Sequence, residues 1–310
     1  MQKSHRPFHL TPLTNPKFLW SGVAPMLLII LIFLGGPLSI MLLVSFLTSD
    51  STSGVHFIFS LDGYRQIFFE QDWDGNWNFT LSYVSILIRS VMIAGITTLL
   101  CFLAGLPIAI YMCGLPDYKR NLLFFFVTIP FWTNLLVRTY AWVNILGRGG
   151  VVEGPFLWLQ LLSEGNSFNL LYSNFAVGIG LLYSYLPLMV IPIYVSLERM
   201  DQRLLDAAAD LYASRMIILM KIVLPIAKPG VIAGMVLVFV PALGAFIAPA
   251  ILGANKNLLW ATLVEQQFTT ARNWAFGAAI SNLLLLVALV VVIIQIKQSR
   301  KEKRNLLMER

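Results

Sequence analysis

The feature that most constrains this chain is a series of apolar runs, each long enough for a bilayer-spanning helix. A helix needs about 20 mostly apolar residues to cross the hydrocarbon core of a membrane. Six runs of the 310-residue sequence reach this length: 22–47, 84–112, 121–145, 174–197, 226–251 and 277–296. Only 12% of the residues are charged and 58% are hydrophobic, whereas soluble domains carry roughly 25% charged residues. The sequence therefore predicts an all-α integral membrane protein with six transmembrane helices.

The first apolar run follows a polar, basic segment and could be mistaken for a signal peptide. It is longer than the roughly 7–15 apolar residues of a signal peptide and lacks an evident small-residue cleavage site. We therefore expect a tail over 1–20 and a retained first transmembrane helix over 21–48. An outer loop would occupy 49–83, the main transmembrane domain 84–296, and a basic tail 297–310.

The distribution of Lys and Arg predicts the orientation in the membrane. Loops on the cytoplasmic side are enriched in these residues. With a cytoplasmic amino terminus, the inner segments hold 16 of the 22 basic residues, and the outer ones hold only four: Arg65, Arg148, Lys256 and Arg272. We expect both termini to be cytoplasmic and residues 1–20 and 297–310 to be cytoplasmic tails. The net charge of +7 then reflects orientation, and we expect no nucleic acid partner.

Residues 198–225 form the longest charged loop on the predicted cytoplasmic side. Asp201 is a plausible N-cap for a short helix over 202–211, and Ser214 for a second helix over 215–224 that leads through Pro225 into the next span. The first helix carries an apolar stripe at helical spacing, with Asp206 and Asp210 on another face. The stripe consists of Leu204, Ala207, Ala208 and Leu211. From this pattern alone, a docking helix and an ordinary surface linker both remain open.

The loop resembles the EAA loop of permease subunits in type I ATP-binding-cassette (ABC) importers. Asp206-Ala207-Ala208 and Ile222-Val223-Leu224-Pro225 match the two ends of that motif with its spacing intact. Three further segments resemble the spermidine/putrescine-type branch of this family: Pro130-Phe131-Trp132-Thr133-Asn134, Tyr185 to Tyr194, and Asn273 to Ala279. The resemblance covers about residues 60–296.

This resemblance implies a bacterial inner-membrane permease for polyamines that is one half of a translocation path. Its implied partners are a second homologous permease subunit, two ATPase subunits, an external substrate-binding protein and membrane lipid. The chain contains no Gly-x-x-x-x-Gly-Lys-Ser/Thr phosphate loop. ATP and Mg would therefore be bound by the partner ATPase, and this chain would be no enzyme and need no cofactor of its own. The implied ATPase-coupling residues are Leu204, Asp206, Ala207, Ala208, Leu211, Tyr212 and Ser214.

Tyr212 departs from the family pattern, which has Gly at this position. A glycine that ends a helix often takes the left-handed conformation, where a residue with a Cβ costs about 1–2 kcal/mol. Either Tyr212 adopts this conformation or the turn takes another geometry.

Polar and aromatic residues within the spans are candidates for the substrate path, although each could instead be a packed ring or a helix–helix contact. They are Trp132, Asn134, Tyr140, Tyr183, Tyr185 and Asn282. No Asp or Glu lies in any span. A polyamine would then bind aromatic faces, the partner permease, or carbonyls at helices interrupted by Pro130, Pro187, Pro192, Pro241 and Pro249. Alternatively, selectivity would reside in the external binding protein. Arg89 and Arg138, near the outer ends of their spans, could bind a ligand or reach the membrane surface.

Three alternatives remain from the sequence. The same importer class could carry iron, sulfate, thiamine or an opine. A secondary transporter would normally have an ionisable coupling residue within the membrane. An intramembrane enzyme would need a metal ligand or general base, but the three histidines, His5, His9 and His56, lie outside the spans. We expect no catalytic residue and no metal site.

Overall fold

The computed structural model describes residues 24–50, 54–71, 77–155, 170–201, 203–253 and 258–308. The predicted tail 1–20, part of the predicted outer loop 49–83, and Lys256 lie outside these residues. The predicted basic tail is described as backbone as far as Met308.

The described part of the chain is mostly helical. In chain order its elements are α1 (Ala24–Val44), β1 (Leu47–Asp50), β2 (Gly54–Phe59), α2 (Asp62–Arg65), β3 (Phe69–Gln71), β4 (Trp77–Phe79), α3 (Ser82–Cys113), α4 (Asp117–Trp132), α5 (Leu135–Leu146), α6 (Asn174–Glu198), α7 (Arg203–Asp210), α8 (Arg215–Leu243), α9 (Ile247–Gly253), α10 (Trp260–Thr269) and α11 (Trp274–Met308). Five of these helices, α1, α3, α6, α8 and α11, are long and apolar enough to cross a membrane. The pair α4 and α5 brings the number to six if it is one broken span.

The prediction of all-α structure is wrong for the segment that follows α1. Strand β1 pairs antiparallel with β2, and β3 pairs antiparallel with β4. The β2 segment reads Gly-Val-His-Phe-Ile-Phe, and its β-branched and aromatic residues favour a strand. Gly54 begins this strand with a φ of 85°, which Gly adopts without steric cost. The two hairpins mark one end of the bundle, called here the hairpin end; the opposite end, which carries α7, is called the loop end.

Two predicted spans have different limits in the structure. The span predicted over 121–145 is interrupted, since α4 and α5 are bent by 100°. The span predicted over 226–251 begins at Arg215, runs through Pro225 with a π turn over Leu219–Val223, and ends at Leu243. Pro225 lies directly after the π turn and has no N–H to donate back into it. The last span agrees with its prediction, since its membrane-spanning part is Trp274–Lys297. Residues 297–308 of the predicted basic tail continue α11 as helix, because they contain no Gly or Pro.

Helix α6 is the centre of the bundle, and α3 and α8 pack along it. Half of its most apolar window is buried, whereas none of the corresponding window of α1 is. Gly105 of α3 and Gly234 of α8 both contact Met189 of α6, and a Cβ on Gly234 would lie 2.7 Å from the Met189 Sδ. Small residues therefore let the three backbones approach closely, as is usual between membrane helices.

A second buried layer fastens the hairpin end to α11. Ile67, Trp260, Phe276 and Ile280 form its core. The Trp260 indole Nε1–H donates to the Ile280 carbonyl at 2.8 Å, and the Trp260 backbone N–H donates to the Ser90 Oγ at 2.7 Å. These bonds hold α10 between α3 and α11.

Candidate functional site

Helix α7 lies against the loop end of the bundle on one side and exposes the other. Leu205 packs against the main core, and Ala208 is only 8% exposed. Leu204 and Leu211 are 47% and 81% exposed, and Ala207 also faces outward. The predicted stripe is therefore corrected: Ala208 faces the bundle, and the outward apolar surface consists of Leu204, Ala207 and Leu211. Asp206 is exposed beside it.

The structure confirms both predicted caps of this loop. The Asp201 Oδ1 accepts a hydrogen bond from the Arg203 backbone N–H at 3.0 Å. The Ser214 Oγ accepts from the Ile217 backbone N–H at 3.4 Å and caps the start of α8. Each cap satisfies a backbone donor that a helix leaves free at its amino end. Together they fix where the short exposed helix starts and where the next helix begins.

Tyr212 adopts the left-handed conformation, with a φ of 57°. Its backbone N–H donates to the Ala209 carbonyl at 2.9 Å, and the next N–H, of Ala213, donates to the Ala208 carbonyl at 3.0 Å. This pair of bonds defines a Schellman motif, whose central position is usually Gly. The Tyr212 side chain is 97% exposed. The turn therefore has the left-handed geometry expected for the Gly of the family pattern, although the residue here is Tyr. The aromatic ring is exposed beyond Leu211.

The break between α4 and α5 is held by polar groups. The Asn134 Oδ1 accepts from the Leu136 backbone N–H at 2.8 Å and caps α5. The Arg138 guanidinium donates to the carbonyls of Pro130 and Thr133, the latter at 2.9 Å. It also lies 5.8 Å from the centre of the Tyr183 ring on α6. A side chain of α5 therefore binds the carbonyls that α4 leaves free where it ends.

A second break lies between α8 and α9, at residues 244–246. A cavity of about 130 Å³ adjoins it, lined by Leu135, Leu181, Ser184, Tyr185, Gly244, Ala245, Phe246, Ile247 and Ala248. The Tyr185 hydroxyl donates to the Pro241 carbonyl at 3.2 Å. Since Leu135 is the first residue of α5, the cavity brings the two helix breaks together across α6.

The structure brings some of the candidate path residues together and separates others. Trp132 and Asn134 flank the first break, and Tyr183 and Tyr185 lie on α6 beside the two breaks. Tyr183 also packs edge-on against Trp142. Asn282 lies elsewhere, with its amide nitrogen 3.5 Å from the Tyr64 hydroxyl in the layer at the hairpin end. Trp132 and Tyr140 are 81% and 58% exposed on this single chain.

Sequence reasoning missed the residues that line the cavity at the second break. Ser184, Gly244 and Ala245 are small and carry no charge, so nothing in their type singled them out. Pro187 and Pro192, which were predicted to interrupt a helix, lie inside the continuous α6. Pro249 was the useful signal: it has no N–H, so the Ala245 carbonyl four residues earlier lacks its normal helical donor.

Two kinds of comparison place the chain among known proteins. The sequence profile of the family described as "binding-protein-dependent transport system inner membrane component" matches residues 105–303, about two thirds of the chain. The chain belongs to this family. It is a permease subunit of a type I ABC importer and an inner-membrane protein. The predicted family and location are thereby confirmed.

Curated relatives in this family are 35–38% identical to the chain over the aligned residues. The spermidine/putrescine transport system permease protein PotB of Salmonella typhimurium (strain LT2) is 38% identical over 256 residues, covering 83% of this chain and 85% of the relative. PotB of Escherichia coli (strain K12) is 37% identical, with 83% and 88% covered. PotB of Haemophilus influenzae is 35% identical over 280 residues, with 90% and 93% covered.

The fold also matches solved permeases. A chain in the crystal structure of a bacterial ABC transporter involved in the import of the acidic polysaccharide alginate aligns with a TM-score of 0.72 at 16% identity. The alignment covers 94% of this chain and 98% of the other. At this identity the match establishes the fold and says nothing about the substrate.

Proposed function

We propose that this permease subunit forms half of an ATP-driven import path for polyamines, spermidine and putrescine. The observation that carries the proposal is the 35–38% identity to spermidine/putrescine permease proteins over 83–90% of the chain. The other half of the path is a second, homologous permease subunit. Two ATPase subunits bind ATP and Mg on the cytoplasmic side, and an external binding protein delivers the substrate.

The proposed orientation places the loop end and both termini in the cytoplasm. Sixteen of the 22 basic residues then lie on the inner side, as the positive-inside rule requires. Helix α7 contacts the ATPase through Leu204, Ala207 and Leu211, with Asp206, Tyr212 and Ser214 around them. An exposed apolar surface beside charged residues is suited to a protein interface. The cap of Ser214 on α8 joins this surface directly to a membrane helix, so movement of the ATPase would displace α8.

The described residues are consistent with a cation path free of carboxylates. Aromatic rings attract cations through their faces, and Trp132, Tyr183 and Tyr185 lie at or between the two helix breaks. Helix breaks supply carbonyl oxygens, which also bind cations inside membrane proteins. These groups recognise an alkylammonium without fixing a permanent negative charge in the membrane.

The test is uptake by the reconstituted complex. The chain is co-expressed with the second permease, ATPase and binding protein encoded beside its gene, purified, and placed in proteoliposomes that enclose ATP. We expect ATP-dependent uptake of radiolabelled spermidine that requires the binding protein and stops when the ATPase carries a catalytic-base substitution. A binding protein that ignores polyamines and binds iron, sulfate, thiamine or an opine would overturn the substrate and leave the importer assignment intact.

A further inference from the structure

We infer that the cavity at the break between α8 and α9 binds one primary ammonium group of the transported substrate. This inference rests on the proposed polyamine function and locates a binding site within it. It starts from a difference between the two helix breaks. The carbonyls freed at the α4–α5 break bind a cation of the chain itself, the Arg138 guanidinium. The carbonyls freed at the α8–α9 break have no such partner among the described residues.

The sequence explains why the second break leaves carbonyls free. Within the described part of the chain, the carbonyls of Gly244 and Ala245 accept no hydrogen bond from a backbone N–H or a side chain. In a helix, the Ala245 carbonyl would accept a hydrogen bond from the nitrogen of residue 249. That residue is Pro, whose nitrogen carries no hydrogen, so the bond cannot form. Both residues line the cavity. Gly244 is exposed and Ala245 half-buried on this single chain, so both residues can be reached by a ligand that donates hydrogen bonds.

The other lining groups suit an ammonium on an alkyl chain. Ser184 and Tyr185 supply a hydroxyl and an aromatic ring, and the remaining side chains are apolar. Carbonyl oxygens and an aromatic ring attract a cation, whereas an anion would find no positively charged lining residue. The first break shows the same combination of groups around a cation. There the Arg138 guanidinium donates to two backbone carbonyls and lies near the Tyr183 ring.

The cavity has the size and depth for one end of a polyamine. Its volume of about 130 Å³ is close to that of an engineered cavity of about 150 Å³ that holds benzene. It therefore accommodates a short alkylammonium segment and not a whole spermidine. Counted from the loop end, Ser184 lies about 21 Å from Glu198 along α6, and Thr133 about 24 Å from Asp117 along α4. Since α6 runs from Asn174 to Glu198, the cavity lies nearer the hairpin end of this helix than the loop end.

The first arm of the test measures charge preference at the cavity. Ala245→Cys is made in a complex whose permease carries Cys101→Ala and Cys113→Ala, and Ala250→Cys is the matched control on α9, since Ala250 does not line the cavity. Each is treated with a cationic ethylammonium methanethiosulfonate and with neutral methyl methanethiosulfonate. We expect the cationic-to-neutral rate ratio at residue 245 to be at least ten-fold higher than at residue 250. Equal ratios would overturn the inference.

The second arm measures transport. Ala245→Leu fills the cavity, and we expect spermidine uptake to fall at least ten-fold with the complex still co-purifying; Ala250→Leu is again the control. Tyr185→Leu should lose uptake, and Tyr185→Phe should retain at least half of it, because the ring remains. Uptake by Ala245→Leu at the control level would overturn the inference. A strict Na⁺ requirement of wild-type uptake would overturn it too, because the carbonyls would then bind an inorganic cation. Absence of spermidine uptake by the wild-type complex would instead overturn the proposed function.

Discussion

Gly230 of α8 lies so close to Pro192 of α6 that a Cβ on Gly230 would come within 2.8 Å of the Pro192 carbonyl carbon. The Ser196 Oγ would be 2.5 Å away. The opposing atoms of Pro192 belong to the backbone, which cannot move aside by a change of rotamer. Since α8 also carries the exposed loop at its start, this contact fixes the loop against the central helix.

We expect Gly230→Ala to separate α6 from α8 and to destabilise the subunit by about 1–3 kcal/mol, the usual cost of overpacking. The measurement is the thermal unfolding midpoint of the purified complex. Gly95→Ala is the matched control, because nothing lies within 4 Å of a Cβ at Gly95. There the change should be neutral or slightly stabilising, since Ala favours a helix over Gly. Equal midpoints for the two variants would show that the α6–α8 contact yields without cost.

Tyr212 gives a second prediction, because a residue with a Cβ at its φ of 57° is strained. Tyr212→Gly should preserve or improve assembly with the ATPase, with a gain below about 1 kcal/mol after the flexibility of Gly is counted. Tyr212→Val should weaken assembly, because a β-branched residue tolerates positive φ poorly. Co-purification with the ATPase measures both. Loss of assembly in Tyr212→Gly would instead identify the tyrosine ring as a required contact.

The outward surface of α7 gives a third prediction. Leu211→Asp should abolish co-purification with the ATPase, because it places a charge on the proposed apolar interface. Tyr118→Asp is the control: Tyr118 is 80% exposed on α4, also at the loop end. If both variants bind the ATPase as the wild type does, the contact lies elsewhere.

Arg138 gives a fourth prediction. Arg138→Leu leaves the carbonyls of Pro130 and Thr133 without their donor, at a cost of about 2 kcal/mol for hydrogen bonds to a charged group. We expect a lower unfolding midpoint and loss of uptake, with partial recovery in Arg138→Lys, whose ammonium can reach fewer carbonyls at once. Arg89→Leu is the control, since Arg89 is exposed on α3. An unchanged midpoint in Arg138→Leu would mean that packing alone maintains the bend.

The orientation gives a fifth prediction. In a permease that carries Cys101→Ala and Cys113→Ala, Tyr212→Cys should react with a membrane-impermeant maleimide only after spheroplasts are opened. Phe57→Cys should react in intact spheroplasts. Both side chains are almost fully exposed, at 97% and 94%, so access to the reagent depends on the side of the membrane. The reverse labelling pattern would invert the proposed topology.

The sequence predicted six spans, and the structure has five helices of spanning length, or six if the bent pair α4 and α5 is one span. This much was accessible because length and hydropathy are local properties. The sequence also predicted the caps of Asp201 and Ser214, since these depend on neighbours along the chain. It left two geometries open for Tyr212, and the structure shows the left-handed one. It missed which side of α7 faces the bundle. Helical spacing groups Leu204 with Ala208 on one stripe, but only the position of the helix bundle decides that Ala208 and Leu205 turn inward.

The bend in the third span was missed for a similar reason. Asn134 is a good N-cap residue, but it lies within a run hydrophobic enough to be one helix. The interaction that stabilises the break reaches back from Arg138 to Pro130, and the same guanidinium lies near the Tyr183 ring of another helix. The cavity at residues 244–248 depends on three helices at once. Of its features, only the missing donor of Pro249 could be read from the sequence.

The Arg138 guanidinium joins α5 to the end of α4 through backbone carbonyls, those of Pro130 and Thr133. A carbonyl oxygen is present whatever side chain stands at position 130 or 133. The bend therefore tolerates variation at the residues that accept, and its demand on the sequence is concentrated on the one residue that donates.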